Sequence, residues 1–364
     1  MPLRQMPIEH LRDGQYCDSV YLVRKRQVAT TKAGKQYMNL TLSDKTGEIG
    51  ARIFANVDVY SGLFSESDFI YVQARVQMYD GRLQMVIDAL DRVSHSEINL
   101  PDFLPAAQRD PEEMLKHVRK ILESITDKKL QKLCMMAISE KTYQQMWEKA
   151  PAGMMIHHAY LGGLLEHTLS VLLLLDFIAS HYENIDRDML LTGGLFHDIG
   201  KLFELEYQTT ISYADEGKLI PHLVSGVELV EKLALQIDGF SEEKKLLLKH
   251  IILSHHGVLE FGSPVVPATL EAVIIHHVDN LDSKVAAFFR MLDQTPKTSM
   301  WSDRSFALGT AVRRTSDVTG KHYAYRLPGA APSEPVKETL EILGQKVADP
   351  EGDESQQNDL FGKK

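Results

Sequence analysis

The sequence predicts a multi-domain α and β protein: a small N-terminal β-barrel, an all-α domain and a flexible C-terminal tail. Residues 14–95 alternate between apolar and polar side chains, whereas residues 105–315 repeat apolar side chains every three or four positions. The first pattern is typical of half-buried strands and the second of amphipathic helices. Residues 330–364 are rich in charge, proline and glycine, which is typical of a mostly disordered segment. A chain of 364 residues is long enough for this organisation.

The N-terminal pattern predicts five short strands, with one brief helical segment before Phe69. Met38, Leu40 and Leu42 alternate with polar neighbours and therefore predict one inward face. Asp80-Gly81 favours the tight, primed turn of a hairpin. Together these features predict a small barrel.

The same alternation turns Tyr37, Arg52 and Phe54 towards the outside of the barrel. This strand pattern resembles the OB-fold of nucleic-acid-binding proteins, which presents the face of its second and third strands to single strands. The resemblance implies that these three side chains stack on bases; packing under a loop or against the second domain is the alternative. Residues 1–98 carry twelve basic and twelve acidic side chains, so the domain has no net positive charge.

A proline-bearing link leads into the helical region, and Pro111 after Asp110 predicts a helix start. Helical periodicity then continues almost without a break to about Arg314. The exception is TTISYADEGKLI, which predicts a short hairpin or loop with residues 215–217 at its tip.

Composition indicates a cytoplasmic protein. Two cysteines, Cys17 and Cys134, are too few for a disulfide framework. No apolar leader is present at the N-terminus, and the most apolar run is short and contains Asp176, so no membrane span is expected. The net charge of −10 argues against broad, purely electrostatic binding of nucleic acid.

The segment GGLFHDIGK places His197 beside Asp198 inside an apolar run. Burial of these side chains is costly unless a partner such as a metal ion satisfies them. Lys201 follows at helical spacing on the same side. A metal next to a lysine suits the binding and cleavage of a phosphate ester.

Other potential ligands lie along the predicted helices. They are His167, His222, the pair His255 and His256, and Asp279. The ordered series resembles the HD-domain metallophosphohydrolases, whose pattern is H…HD…D with extra histidines in two-metal members. The resemblance implies an all-α helical bundle in which His167, His197, Asp198 and Asp279 are the core ligands. It further implies that His222 and His255 or His256 bring in a second ion.

Imidazole and carboxylate donors suit Mn²⁺, Fe, Co²⁺ or Zn²⁺ better than Ca²⁺. Two ions bridged by Asp198 would activate water and neutralise charge on a phosphoryl group. His276 is expected to support a ligand rather than to bind an ion. His157 and His158 either contact substrate or cap a turn.

The order of a barrel followed by this helical domain resembles the YhaM-type 3′-5′ exoribonucleases. The segments HHAYLGGLLEHTLSV, GGLFHDIGK and HIILSHHG carry the likeness, which spans about residues 14–314. The resemblance implies Mn²⁺-supported removal of mononucleotides from the 3′ end of single-stranded RNA or DNA, with Asp198 and Lys201 in the catalytic centre. It also suggests a homo-oligomer.

Two other functions remain open at this point. One is hydrolysis of a small nucleotide or cyclic dinucleotide, with a regulatory barrel. Gly163, four residues before His167, argues against the cyclic dinucleotide, because some two-metal enzymes of that class carry a ligating Glu there. The other is a non-catalytic nucleic-acid-binding adaptor, against which the complete series of ligands argues.

The tail is acidic, with four basic and eight acidic residues in 331–364. One helix is expected over 336–346. The peptide QNDLF, Gln357–Phe361, resembles the short motif by which bacterial proteins dock on the DNA sliding clamp.

Overall fold

A computed structural model of the chain describes residues 6–31, 34–154, 158–305, 307–315, 318 and 323–327. The predicted barrel and helical domain both lie within these residues. The predictions for the tail, including the helix over 336–346 and the peptide Gln357–Phe361, fall outside them.

The N-terminal domain is a closed five-stranded barrel, which confirms the predicted architecture. Its strands follow the order β1-β2-β3-β5-β4, and a short helix, α1, precedes β4. The β4–β5 turn has positive φ at both Asp80 (50°) and Gly81 (72°), as a primed hairpin turn requires. The elements are β1 Tyr16–Thr30, β2 Gln36–Asp44, β3 Gly47–Ile53, α1 Val57–Ser61, β4 Phe69–Tyr79 and β5 Arg82–Val93.

The barrel core forms from the inward positions that alternation predicts. Met38 and Leu42 of β2 are completely buried, and Ile53 of β3 pairs with Met38 across the ladder. Cys17 is buried against Tyr21, and both Cys17 and Cys134 are free thiols. The interior is therefore filled by side chains, which leaves the outer face as the surface available to a ligand.

The second domain is built mainly from helices. Asp110 caps the first of them by accepting a hydrogen bond from the Glu112 amide at 3.0 Å, as the Asp-Pro sequence predicts. The helices are α2 Pro111–Glu123, α3 Lys128–Ser139, α4 Lys141–Trp147, α5 Gly163–His181, α6 Arg187–Phe196, α7 Lys201–Glu204, α8 His222–Ala234, α9 Glu242–Ser254 and α10 Leu270–Gln294.

Helix α5 is the centre of this domain and packs against α2, α6 and α10. It is the one helix of the described residues that is long and apolar enough to span a membrane. Most of it is buried inside the fold, and the core helix of a globular domain has the same composition. The connection from the barrel is fixed to the start of α5, since the Ala107 amide donates to the Leu161 carbonyl at 2.8 Å.

Two features of the helical region differ from the prediction. The hairpin after α7 consists of β6 Leu205–Glu206 and β7 Ser212–Tyr213, so its tip is residues 207–211 rather than 215–217. Gly217 instead packs on the backbone of Glu204, where a Cβ would lie 2.1 Å from the carbonyl oxygen. Helical structure also ends at Gln294, and a second hairpin, β8 Trp301–Arg304 with β9 Ala311–Arg313, follows. Pro296 ends the helix, and hydrogen bonds to the hairpin partner replace helical ones.

Gly200 determines how closely the segment that contains His197 and Asp198 approaches the start of α8. A Cβ atom on Gly200 would lie 1.9 Å from the carbonyl oxygen of His222 and 2.8 Å from its Cα. The glycine therefore lets the turn after His197 and Asp198 lie directly against the first residue of α8. This contact brings residues distant in sequence to one place.

Replacing Gly200 with Ala should lower the thermal unfolding midpoint of the helical domain. The methyl group meets backbone atoms that have no rotamer to change, so we expect a loss of about 1–3 kcal/mol in unfolding free energy. Gly50→Ala is the matched control, because nothing lies within 4 Å of its added Cβ and its φ is not positive. Differential scanning calorimetry measures both; equal midpoints would contradict the packing role of Gly200.

Candidate metal centre and nucleic-acid interface

The helical domain gathers the predicted ligands into one buried centre. Helix α5 contributes one ligand, and the end of α6 contributes the HD pair. The start of α8, the end of α9 and the middle of α10 complete the set. The seven residues are His167, His197, Asp198, His222, His255, His256 and Asp279, in two clusters of four that share Asp198.

In the first cluster, the ligand atoms of His167, His197, Asp198 and Asp279 all lie within 4.8 Å of one another. His167 Nε2 lies 3.2 Å from His197 Nε2 and 3.3 Å from Asp279 Oδ1. Asp198 Oδ2 lies 3.5 Å from His197 Nε2 and 3.6 Å from His167 Nε2. This spacing permits one small cation to contact all four side chains.

The second cluster uses the other oxygen of the same aspartate. Asp198 Oδ1 lies 3.4 Å from His255 Nε2 and 3.6 Å from His222 Nε2, with His256 beside them. All four ligand atoms again lie within 4.8 Å of one another. Each carboxylate oxygen of Asp198 therefore faces its own group of imidazoles.

Hydrogen bonds at the opposite ring nitrogens fix which atom of each histidine faces the centre. His197 Nδ1 donates to the Gly194 carbonyl and His255 Nδ1 to the Ile252 carbonyl, both at 2.8 Å. His256 Nδ1 likewise faces the carbonyl of Phe261 at 2.9 Å. A carbonyl accepts only, so Nδ1 carries the proton and Nε2 keeps its lone pair in the neutral ring.

Two further histidines are oriented by carboxylates. His222 Nδ1 lies 3.1 Å from both oxygens of Glu204, which also accepts the His222 backbone amide at 3.0 Å. His167 Nδ1 lies 2.8 Å from Asp282 Oδ2. In both rings the lone pair of Nε2 points towards the shared aspartate.

The centre is therefore a set of nitrogen and oxygen atoms, each of which can offer an electron pair to a shared ion. Asp198 Oδ1, His222 Nε2 and His255 Nε2 are buried, and none has a hydrogen-bond partner among the described residues. Buried polar atoms are seldom left in this state unless an ion is bound. The donor set fits a divalent metal, because a cation is the group that all of these atoms can bind at once.

The protonation equilibria separate the charged groups of the centre from the neutral ones. Burial opposes the charged form of His167, but Asp279 and Asp282 outweigh it and raise its pKa to about 10. Burial lowers the pKa of His197 to about 4 and that of His256 to about 3, with neighbouring histidines adding to the effect. Burial alone would raise the pKa of Asp198, but the charges of Lys201 and His197 hold it well below its ordinary value.

Lys201 is buried beside the centre as the sequence spacing predicts. Its Nζ donates to Asp198 Oδ2 at 2.7 Å. Burial opposes the charged form, yet the Asp198 carboxylate outweighs it and raises the pKa of the lysine. Lys201 is thus a fixed cation at the edge of the two clusters.

Sequence reasoning missed two carboxylates that hold the ligands. Glu204 orients His222 and follows Lys201 by three residues, at the end of α7. Asp282 follows Asp279 by three residues on the same face of α10 and is 4% exposed. Helical spacing from a predicted ligand is the signal that would have found both residues.

The histidines left without a firm role lie outside the ligand groups around Asp198. His158 is buried, with Nε2 3.1 Å from Asp282 Oδ2, and His276 Nδ1 lies 2.8 Å from the carbonyl of His255. His276 therefore supports the backbone of a predicted ligand. His157 lies outside the described residues. A Cβ on Gly163 would lie 2.0 Å from the His158 carbonyl oxygen, so no side chain fits at that position.

On the barrel, the three predicted side chains lie together on β2, on β3 and at the residue directly after β3. The rings of Tyr37 and Phe54 are stacked, with centroids 6.0 Å apart and planes inclined by 25°. The Arg52 guanidinium lies 4.9 Å from the centre of the Tyr79 ring. Tyr79, at the end of β4, is 54% exposed and was missed by the sequence analysis. The four side chains form a platform suited to stacking on bases.

Comparison with known proteins agrees with these two sites. The HD domain family matches residues 164–284, and the family of OB-fold nucleic acid binding domains matches residues 22–93. Proteins named 3′-5′ exoribonuclease YhaM are similar over most of their length. The protein from Geobacillus sp. (strain WCH70) is 31% identical over 83% of this chain and 92% of its own. The Bacillus subtilis (strain 168) protein is 33% identical over 81% of this chain and 93% of its own.

The chain belongs to the YhaM family of 3′-5′ exoribonucleases. The resemblance to that family and the fold predicted from the sequence are therefore confirmed. The helical part is an HD-type, metal-dependent phosphohydrolase domain, and the barrel is an OB-fold domain for single-stranded nucleic acid. The roles of the individual site residues remain predictions.

Replacing Asp198 with Asn should remove most of the divalent metal bound to the purified protein. The amide lacks the negative charge that both clusters share, so we expect the metal content to fall by at least half. Asp188→Asn is the control: this carboxylate accepts the Thr126 and Asp127 amides and touches neither cluster. Mass spectrometry measures the metal content per chain in both variants. Equal content would refute the shared role of Asp198.

Proposed function

We propose that this protein hydrolyses single-stranded RNA, or single-stranded DNA, from its 3′ end to mononucleotides, with two Mn²⁺ ions in the helical domain. The observation that carries the proposal is the position of Asp198 between two groups of imidazoles, with Oδ2 towards one group and Oδ1 towards the other. The relatives named 3′-5′ exoribonuclease YhaM support the substrate and the direction.

The first ion would be held by His167, His197, Asp198 and Asp279, and the second by Asp198, His222, His255 and His256. Such a pair supplies Lewis acidity and an activated water for displacement at phosphorus. Mn²⁺ suits the mixture of imidazole and carboxylate donors, as do Co²⁺, Fe and Zn²⁺.

Lys201 adds a positive charge where the phosphate would lie. One of its three N–H donors is used by Asp198 Oδ2. The side chain is itself buried beside the centre, and a fixed donor at such a place stabilises charge that develops on phosphate oxygens. Burial strengthens this interaction, because water screens it less.

The barrel would hold the strand while its 3′ end reaches the metal centre. Tyr37, Phe54 and Tyr79 offer aromatic faces, and Arg52 offers a cation that pairs with a ring or with phosphate. Stacking tolerates any base, which suits an enzyme that shortens strands of varied sequence.

Two other functions are less well supported. Hydrolysis of a cyclic dinucleotide through a ligating Glu at position 163 conflicts with the tight contact between Gly163 and His158. A non-catalytic adaptor would not need seven ligand side chains in two complete groups. Assembly into a homo-oligomer and docking of Gln357–Phe361 on a sliding clamp stay predictions.

The decisive test of the activity compares single-stranded RNA labelled at the 3′ end with the same strand labelled at the 5′ end. With added Mn²⁺ we expect immediate release of labelled mononucleotide from the 3′-labelled strand and progressive shortening of the 5′-labelled strand. EDTA should abolish both, and Asp198→Ala should abolish cleavage while strand binding persists. Matched DNA ranks the substrates. Absence of cleavage by metal-loaded protein would refute the proposal and favour a small-nucleotide substrate.

Replacing Tyr37 with Ala should weaken binding of a single strand without changing the metal content. Loss of one stacked base costs about 1–3 kcal/mol, or about 5- to 150-fold in affinity. Tyr16→Ala is the control, because Tyr16 is a tyrosine of the same barrel, more exposed than the half-buried Tyr37, and lies on β1, paired with Arg75 of β4. Fluorescence anisotropy of labelled RNA, with EDTA present to prevent cleavage, measures both. Equal losses would assign the binding to another surface.

A further inference from the structure

Asp282 is a buried carboxylate with four donors. Its Oδ2 lies 2.8 Å from His167 Nδ1 and 3.1 Å from His158 Nε2. Its Oδ1 accepts Ser170 Oγ at 2.5 Å and Tyr323 Oη at 2.7 Å. Only one of the four donors belongs to a predicted metal ligand, so the residue sits behind the metal centre rather than within the ligand groups around Asp198.

Parts of the chain outside the matched HD region complete this arrangement. The HD family covers residues 164–284, whereas His158 precedes that range and Tyr323 follows it. The two rings also contact each other, edge to face, with centroids 4.6 Å apart. His158 has a positive φ of 44°, a strained backbone that persists where surrounding contacts enforce it.

We propose that Asp282 is a positioning residue that holds His167 with Nε2 directed at the first ion, and that Tyr323 and His158 fix Asp282 in turn. This inference rests on the two-ion centre of the proposed function. An acceptor at Nδ1 keeps the proton on that nitrogen and directs the lone pair of Nε2 at a cation. The three other donors hold the carboxylate, so it does not swing towards the cation in place of the imidazole.

Asp282→Asn tests the proposal in the full-length protein. The amide has one acceptor oxygen where the carboxylate has two, so it can serve the imidazoles or the hydroxyls but not both groups. We expect one of the two Mn²⁺ ions to bind about 10- to 100-fold more weakly, with the affinity for the other unchanged. Calorimetric titration with Mn²⁺ and the absorption spectrum of bound Co²⁺ measure this directly.

Asp44→Asn is the matched control, because Asp44 is also a buried carboxylate with four donors. Its oxygens accept from the amides of Ile8, Thr46 and Gly47 and from the Thr46 hydroxyl, all in the barrel. That variant should lower the unfolding midpoint and leave both Mn²⁺ affinities unchanged. A general loss of stability is thereby separated from a loss of positioning.

Tyr323→Phe is the second variant and removes one hydroxyl while keeping the ring. It should weaken binding of the same ion by a smaller factor, about 2- to 10-fold. If Asp282→Asn does not fold, this variant alone tests the proposal. Unchanged affinity for both ions in every variant that folds would overturn the proposal.

Turnover provides a second readout if the protein cleaves RNA. Excess Mn²⁺ should restore the turnover of Asp282→Asn, because the variant loses metal affinity and keeps Asp198 and Lys201. Persistently low turnover at saturating Mn²⁺ would instead give Asp282 a direct part in the chemistry and overturn the positioning role. A protein that shows the expected loss of affinity but cleaves no RNA would refute the proposed function and leave this inference standing.

Discussion

The buried carboxylate of Asp198 is the constraint on which the helical domain depends. A carboxylate taken out of water needs positive charge nearby, and Lys201 supplies one such charge at 2.7 Å. The imidazoles around Asp198 turn lone pairs towards it, because their other nitrogens are engaged with carbonyls and carboxylates. Divalent cations would satisfy all of these atoms. The hydrogen bonds at the opposite ring nitrogens therefore mark the centre as a candidate metal site.

The packing around Asp198 and its imidazoles holds this arrangement in place. Gly200 lets the turn after His197 and Asp198 lie against the start of α8. Glu204 then accepts hydrogen bonds from both the backbone amide and the ring of His222. Because glycine has no side chain that could change its rotamer, this close backbone contact fixes the distance between the two segments. The predicted ligand side chains are thus placed by close main-chain contact and by carboxylates behind the rings.

The two domains offer a substrate different kinds of contact. The barrel offers an exposed platform of aromatic rings with Arg52 among them, which suits binding of varied sequences. The helical domain offers buried, fully oriented groups, which suit bond cleavage at one phosphate. The Arg24 guanidinium reaches the carbonyl of Thr209, so the barrel contacts the hairpin that follows Glu204 in the chain.

The sequence by itself determined the barrel, the helical domain and the set of histidines and aspartates, because alternation, helical spacing and the HD pair are local signals. Met38 and Leu42 faced inward as the pattern required, and Asp110 capped its helix. Tertiary structure alone decided the rest: which imidazoles face each oxygen of Asp198, that Glu204 and Asp282 stand behind them, and that Tyr79 joins Arg52. The hairpin tip at 207–211 was also decided there. Local periodicity carries no information on which distant segments meet. These features depend on contacts such as that of Glu204 with His222, 18 positions apart, and that of His167 with Asp282, 115 positions apart, or on backbone packing such as that of Gly217 on Glu204.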